Sequence, residues 1–239
     1  MTESAVAAKA SPNRLLALWT SVIGKKVVMA LTGTILVLFV ITHMVGNLKI
    51  FSGPVEINAY SHFLREVGWP EFANGQVLWI ARIVLLVCAF LHITAATQLT
   101  IMNRNARPVG YGTKKDVETT WGAQTMRWGG VLLALFIVFH LLHFTAGVVG
   151  FQPGQFEHLM VYQNVIAGFS VVPVALFYIL AMCALCLHLD HGIWSALQTL
   201  GCITTDNTKS IRMISRVVAI VIFAGFVSVP ISVLAGWVR

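Results

Sequence analysis

Charge is what this sequence has least of. Only 10% of its 239 residues are Asp, Glu, Lys or Arg, whereas an average soluble domain carries about 25%. Acidic groups are the scarcer sign, with nine Asp and Glu against sixteen Lys and Arg. Hydrophobic residues make up 57% of the chain and the mean hydropathy is +0.81. Surface-to-volume scaling leaves a water-soluble chain of this size no room to bury so much apolar surface, which excludes a soluble globule and makes lipid the solvent. Cysteine is sparse too. Cys88, Cys183 and Cys186 fall in apolar stretches and Cys202 in a polar link, so they read as small packing groups, Cys183-x-x-Cys186 included, and not as a disulfide framework or a metal site.

Five stretches reach the roughly 20 apolar residues needed to cross a bilayer: 27–46, 77–99, 129–150, 165–188 and 217–236. The expected fold is all-α, an integral membrane protein of five helices forming one transmembrane domain over 1–239. The first stretch is too long for a signal-peptide core and lacks a small-residue cleavage pattern, so it is expected to be retained as an anchor.

The basic residues then give a topology. With the N-terminus cytoplasmic, Lys9, Arg14, Lys25, Lys26, Arg104, Arg107, Lys114, Lys115, Arg127, Lys209, Arg212 and Arg216 share the inner side, and only Lys49, Arg65, Arg82 and Arg239 fall on the outer side. Such a bias orients the N-terminus inward and the C-terminus outward. It also explains the net charge of +7 without any nucleic-acid partner. In the outer segment 50–71, Ile57, Tyr60, Phe63, Leu64 and Val67 recur at helical spacing, consistent with a short surface helix as well as with an irregular loop. The inner segment 103–124 is rich in turn signals.

Six of eight histidines lie within or at the ends of the spans: His43, His92, His140, His143, His188 and His191. A single intramembrane histidine often serves helix packing, but four spans each bearing one is a pattern. His43 to His140 is 97 residues and His92 to His188 is 96, as in a duplicated two-helix hairpin. At about 1.5 Å per residue, His43 and His140 lie roughly 24 Å and 17 Å from the inner ends of outward-running helices, whereas His92 and His188 lie within roughly 10 Å of the inner face. Depth therefore pairs His43 with His140 outside and His92 with His188 inside. Two imidazoles at each of two levels in a four-helix bundle is what two bis-histidine haems stacked across a membrane require.

Small residues near these positions would let helices approach a flat ring: Ala181, Ala184 and Gly192 near His188; Ala89, Ala95 and Ala96 near His92; Gly147 near His140; Gly46 near His43. His143 and His191 stand three residues beyond His140 and His188, and depth leaves them as rivals for the ligand role. His62 and His158 fall in outer segments. No Cys-x-x-Cys-His occurs, so covalent haem attachment is not expected.

Around these histidines the chain resembles the five-helix, dihaem cytochrome b membrane subunits, of b558 type, of succinate dehydrogenase and fumarate reductase, the respiratory complex II family. The resemblance runs over nearly the whole chain. It rests on Ser21-x-x-Gly24-Lys25-Lys26, His43-x-x-Gly46-Asn47, His92, Asn103-Arg-x-Ala106-Arg107-Pro108, Arg127-x-x-Gly130 followed ten residues later by His140, and His188-x-x-His191-Gly192-Ile193-Trp194-Ser195.

The resemblance implies that His43, His92, His140 and His188 are the axial ligands of two haems b, leaving His143 and His191 as neighbours of the ligands or quinone-site candidates. It further implies an FAD flavoprotein and an iron–sulfur subunit docked on the cytoplasmic face of the inner membrane. Electrons from succinate would pass through them to the inner haem, then the outer haem, with menaquinone the usual quinone partner. Ser21, Lys25, His191 and Trp194 are candidate donors to a quinone at the inner boundary, and Glu66 or His62 could serve one outside. Arg82 and Arg127 are candidates for haem propionates, because an arginine in lipid needs an anionic partner.

Two other classes remain to be weighed. A proton or metal transporter built on intramembrane histidines would be expected to carry carboxylates in its spans; the five predicted spans contain none, Asp190 lying just beyond the fourth. A cytochrome b subunit of another dehydrogenase, such as formate dehydrogenase or hydrogenase, or a free-standing ascorbate-reducing cytochrome, would satisfy the ligand count equally well. The chain has neither a flavin fold nor cluster cysteines, so alone it is not expected to oxidise a dicarboxylate.

Overall fold

The computed structural model describes residues 19–106 and 121–239. Lys9, Arg14, Arg107, Lys114 and Lys115 of the inner basic set, and most of the expected turn-rich segment 103–124, lie outside the described residues. Among the described residues there is no strand. The helices are α1 (Val22–Leu48), α2 (Pro54–Glu66), α3 (Gln76–Asn105), α4 (Trp121–His140), α5 (Val161–Phe169), α6 (Val172–Thr199) and α7 (Thr208–Leu234); a 3₁₀ turn (Lys49–Ser52) follows α1 and a π-helical turn (Leu141–Thr145) extends α4.

Five of these, α1, α3, α4 with its π turn, α6 and α7, are long and apolar enough to cross a membrane. Only a minority of their residues are buried, and large apolar side chains lie bare, Phe90 at 70% exposed and Leu135 at 66% among them. Large apolar side chains left bare all round a bundle would aggregate in water; here they form the surface a bilayer covers. The helices begin at recognisable signals. The Ser21 hydroxyl accepts the Gly24 N–H at 2.9 Å, capping α1.

Span boundaries differ from the sequence expectation, and the fifth crossing starts at Thr208 rather than at residue 217. The fourth crossing runs Val172–Thr199, where 165–188 was expected. Residues from 165 belong instead to the short helix α5, and the chain breaks at Ser170 and Val171 before Pro173 opens α6. Proline lacks the N–H that an established helix needs but is accommodated in the first turn. The third crossing stops at Thr145 rather than reaching residue 150. Gly147 turns the chain there with φ +67° and leaves the space that the Phe156 ring fills.

α1 lies along α3, α4 along α6, and α1 also packs on α6, while α7 closes one side against α6 and α1. The α7 contact is close: Gly225 leaves the space that Met44 occupies. The end of the bundle where α1 finishes, called the outer end, is capped by α2 and α5, and the opposite end is called the inner end. Asn58 on α2 accepts the Tyr162 N–H at 3.0 Å and donates to the Gln163 side chain at 3.3 Å. Ile57 and Ser61 of α2 are buried while Phe63 is exposed, so segment 50–71 holds an amphipathic helix rather than an irregular loop. At the inner end, Asp190 on α6 meets Arg212 and Arg216 on α7 at 3.6 and 3.7 Å.

Candidate functional site

Four histidines from four spanning helices meet in two facing pairs. His43 on α1 and His140 at the end of α4 have ring centroids 5.8 Å apart at 84°. His92 on α3 and His188 on α6 have centroids 6.3 Å apart at 60°. Neither α1 with α4 nor α3 with α6 is a closely packed pair of helices. The rings therefore approach across spaces that the backbones leave open.

Helical rise separates the pairs into levels, and three helices agree on the interval. On α6, Tyr178 bonds His140 at the outer level and stands ten residues before His188. On α1, Gly33 faces His92, where an added Cβ would lie 3.1 Å from the ring, ten residues before His43. On α4, Gly130 faces His188, with a Cβ position 3.8 Å from that ring, ten residues before His140. Ten residues of helix is roughly 15 Å.

The two levels are supported differently. At the inner level, His92 Nδ1 lies 3.1 Å from the Met29 carbonyl oxygen and 3.4 Å from the Thr32 hydroxyl. A carbonyl can only accept, so the hydrogen sits on Nδ1 and Nε2 keeps a free lone pair. At the outer level, His140 Nδ1 lies 3.2 Å from the Tyr178 hydroxyl, and that hydroxyl lies 2.9 Å from Nδ1 of His143. His43 stacks on Phe39 at 5.2 Å and abuts Phe226 at 5.9 Å, so the outer pair sits among aromatic rings.

His143 itself is fully buried at 0% exposure inside the π-helical turn, a distortion often found at functional positions. Its Nε2 has no hydrogen-bond partner.

Beyond His188 lies a polar cluster at the inner ends of α6 and α7. His191 and Trp194 have ring centroids 6.3 Å apart, and the Arg212 guanidinium sits 5.4 Å over the Trp194 ring. Asp190 Oδ1, His191 Nδ1, Trp194 Nε1 and Arg212 Nη2 are buried without a hydrogen bond. Asp190 lies inside α6, not beyond the fourth span. The expectation that the spans hold no carboxylate is thus overturned, although two arginines pair with this one.

The remaining candidates are dispersed. Ser21 is the α1 cap, and Lys25, only 6% exposed, donates to the Trp19 carbonyl and lies over the Trp19 ring. Arg82 lies over Trp79 at 5.0 Å, ten residues before His92 and so near the outer level. Arg65 on α2 is held below the usual guanidinium range by burial and by the neighbouring Arg82 charge. Arg127 is exposed on α4, while His62, Glu66 and His158 are exposed at the outer end. Of the small residues expected beside the rings, Ala95 and Ala181 are fully buried. Gly46 and Gly147 instead seat Tyr60 and Phe156, and nothing lies within 4 Å of a Cβ at Gly192. The spacers that meet the histidine rings are Gly33 and Gly130. They are 97 residues apart in the sequence, the same interval as His43 and His140, a signal that could have identified them.

Among the described residues no three or more His, Cys, Asp or Glu gather to hold a metal ion. Two imidazoles suit an iron whose other four ligands come from a macrocycle. With metal–nitrogen bonds of about 2 Å on opposite faces, the imidazole centres would stand roughly 6 Å apart, and the observed 5.8 and 6.3 Å fit that span. Comparison with models of known protein families, with curated proteins and with solved structures finds no match to this chain in any of the three.

Proposed function

We propose that this chain is the haem-bearing membrane anchor of a succinate:quinone oxidoreductase or fumarate reductase. It carries two haems b in a four-helix core, with axial ligands His43 and His140 at the outer level and His92 and His188 at the inner. The observation that carries the reading is the pair of imidazole–imidazole approaches of 5.8 and 6.3 Å, each between helices that are not closely packed. The bound group supplies reversible one-electron transfer. The protein's part is to fix each imidazole, keep its metal-facing nitrogen free, and hold the two levels roughly 15 Å apart along the helices.

The basic side of the membrane is the cytoplasmic side in this reading, with the N-terminus inside and the inner histidine pair nearest to it. An FAD flavoprotein and an iron–sulfur subunit dock there, and menaquinone exchanges electrons within the cytoplasmic membrane. His191 and Trp194, beside the inner pair, are the quinone-site candidates that share one cluster; Ser21 and Lys25 are already engaged as a cap and in a backbone bond. Arg82 at the outer level and Arg127 toward the inner level are the propionate candidates.

The test is purification from membranes with whatever subunits accompany the chain. Two non-covalent haems per chain with low-spin b-type spectra, both reduced on adding succinate, are expected. A colourless protein overturns the haem reading and favours transport. Two haems with no flavoprotein and no reduction by succinate would instead assign the chain to another dehydrogenase.

A further inference from the structure

We infer that Tyr178 and His143 form a hydrogen-bond relay behind His140 that lets it take the ring form able to bind metal at the outer level, making His143 a positioning residue. This rests on the reading of His140 as an axial ligand. The Tyr178 hydroxyl lies between two ring nitrogens, 3.2 Å from His140 Nδ1 and 2.9 Å from His143 Nδ1. A hydroxyl has one hydrogen and two lone pairs, so when that hydrogen lies between the rings it donates to one and accepts from the other.

Two polarities place the hydroxyl hydrogen in one of the two bonds. In the first, His140 Nδ1–H donates to Tyr178, Tyr178 donates to His143 Nδ1, and His143 carries its hydrogen on Nε2. His140 Nε2 then has a free lone pair. In the second, His143 Nδ1–H donates to Tyr178, Tyr178 donates to His140 Nδ1, and the hydrogen of His140 moves to Nε2, where it blocks coordination. The first polarity requires His143 as an acceptor and leaves its buried Nε2–H without a partner.

The surroundings hold that acceptor in place. His143 is completely buried, with Phe144 and Phe151 at centroid distances of 4.0 and 4.6 Å. Gly150 and Gly168 close on its other edge, where any Cβ would lie 2.8 and 2.7 Å from Nε2. The π-helical turn widens the backbone at this residue and puts Nδ1 on the Tyr178 hydroxyl. His92 at the inner level has no such freedom, because the Met29 carbonyl that accepts from it cannot donate.

The experiment uses the full complex carrying Tyr178→Phe, His143→Leu or His143→Asn. It reads haem content, the low-spin electron paramagnetic resonance signal and the midpoint potential of each haem. In Tyr178→Phe and His143→Leu the outer haem is expected to be lost or to become easier to reduce, by about tenfold in its reduced-to-oxidised ratio at fixed potential, which is about 59 mV for one electron. The potential rises because an imidazole stripped of its acceptor is a weaker donor to ferric iron. His143→Asn keeps an amide oxygen near the position of Nδ1 and should restore the wild-type value, while the inner haem stays unchanged throughout.

Unmoved potentials in Tyr178→Phe and His143→Leu, with both haems bound, overturn the relay and leave the function standing. So does a His143→Asn protein as altered as His143→Leu, which would reduce His143 to a packing role. If His143→Leu does not accumulate, Tyr178→Phe decides alone, since it removes a single oxygen. A wild-type protein without haem overturns both readings together.

Discussion

The outer and inner histidine pairs have nearly the same ring separation, 5.8 against 6.3 Å, and are built by opposite means. The inner pair relies on main chain and on a missing side chain: a carbonyl orients His92, and Gly33 makes room for its ring. The outer pair relies on side chains, with Phe39, Phe226, Tyr178 and His143 around it and a π-helical turn beside it. A carbonyl acceptor survives most substitutions, whereas a hydroxyl–imidazole relay depends on two particular residues. The inner level is the conservative design and the outer level the adjustable one.

The comparison can be broken by removing ligands. His92→Ala or His188→Ala should abolish one haem and with it succinate-linked reduction, whereas His43→Ala or His140→Ala should abolish the other and leave the first reducible by succinate. Haem quantitation with spectra of each species checks this, and loss of both haems from every variant would erase the distinction between levels.

A smaller but more selective effect should come from the spacers. Gly33→Val puts a branched side chain where even a Cβ lies 3.1 Å from the His92 ring. It should deplete the inner haem while sparing the outer, and equal depletion of both would contradict the two-level division.

The ion pairs below the inner level offer a third test. Asp190→Asn leaves Arg212 and Arg216 without their carboxylate, and since these contacts are long and partly exposed, the expected loss is about 1–2 kcal/mol. Thermal unfolding in detergent would register it, with haem content unchanged below the transition. The smallest effect belongs to Thr32→Val. That hydroxyl is only a 3.4 Å neighbour of His92, whose Nδ1 keeps the Met29 carbonyl at 3.1 Å, so the inner midpoint potential in a redox titration should stay within about 20 mV of its wild-type value.

Much of this arrangement is legible in the sequence because it is periodic. Apolar length marks five crossings, and the intervals of 97 and 96 residues align His43 with His140 and His92 with His188. What is hidden is aperiodic. The break before Pro173 lies in a run that is apolar but for Ser170, so hydropathy merges α5 with α6 and places the fourth crossing several residues early. A π-helical turn adds a residue per turn without altering composition, so nothing in 141–145 announces it. Tyr178 reads as one more aromatic residue in a span, and its role emerges only when α4 and α6 are brought together. Asp190 reads as lying just beyond the fourth span for the same reason that hydropathy ends that span at His188.

The ten-residue interval shared by α1, α4 and α6 has a consequence for how such a chain can vary. Each of these helices presents one residue to each level, and inserting a single residue between the two would swing everything beyond it by about 100° and shift it by about 1.5 Å. Gly33 to His43, Gly130 to His140 and Tyr178 to His188 are therefore closed to insertion and deletion, like the teeth of meshed gears. Changes in length must be absorbed by the connecting segments at the two membrane faces.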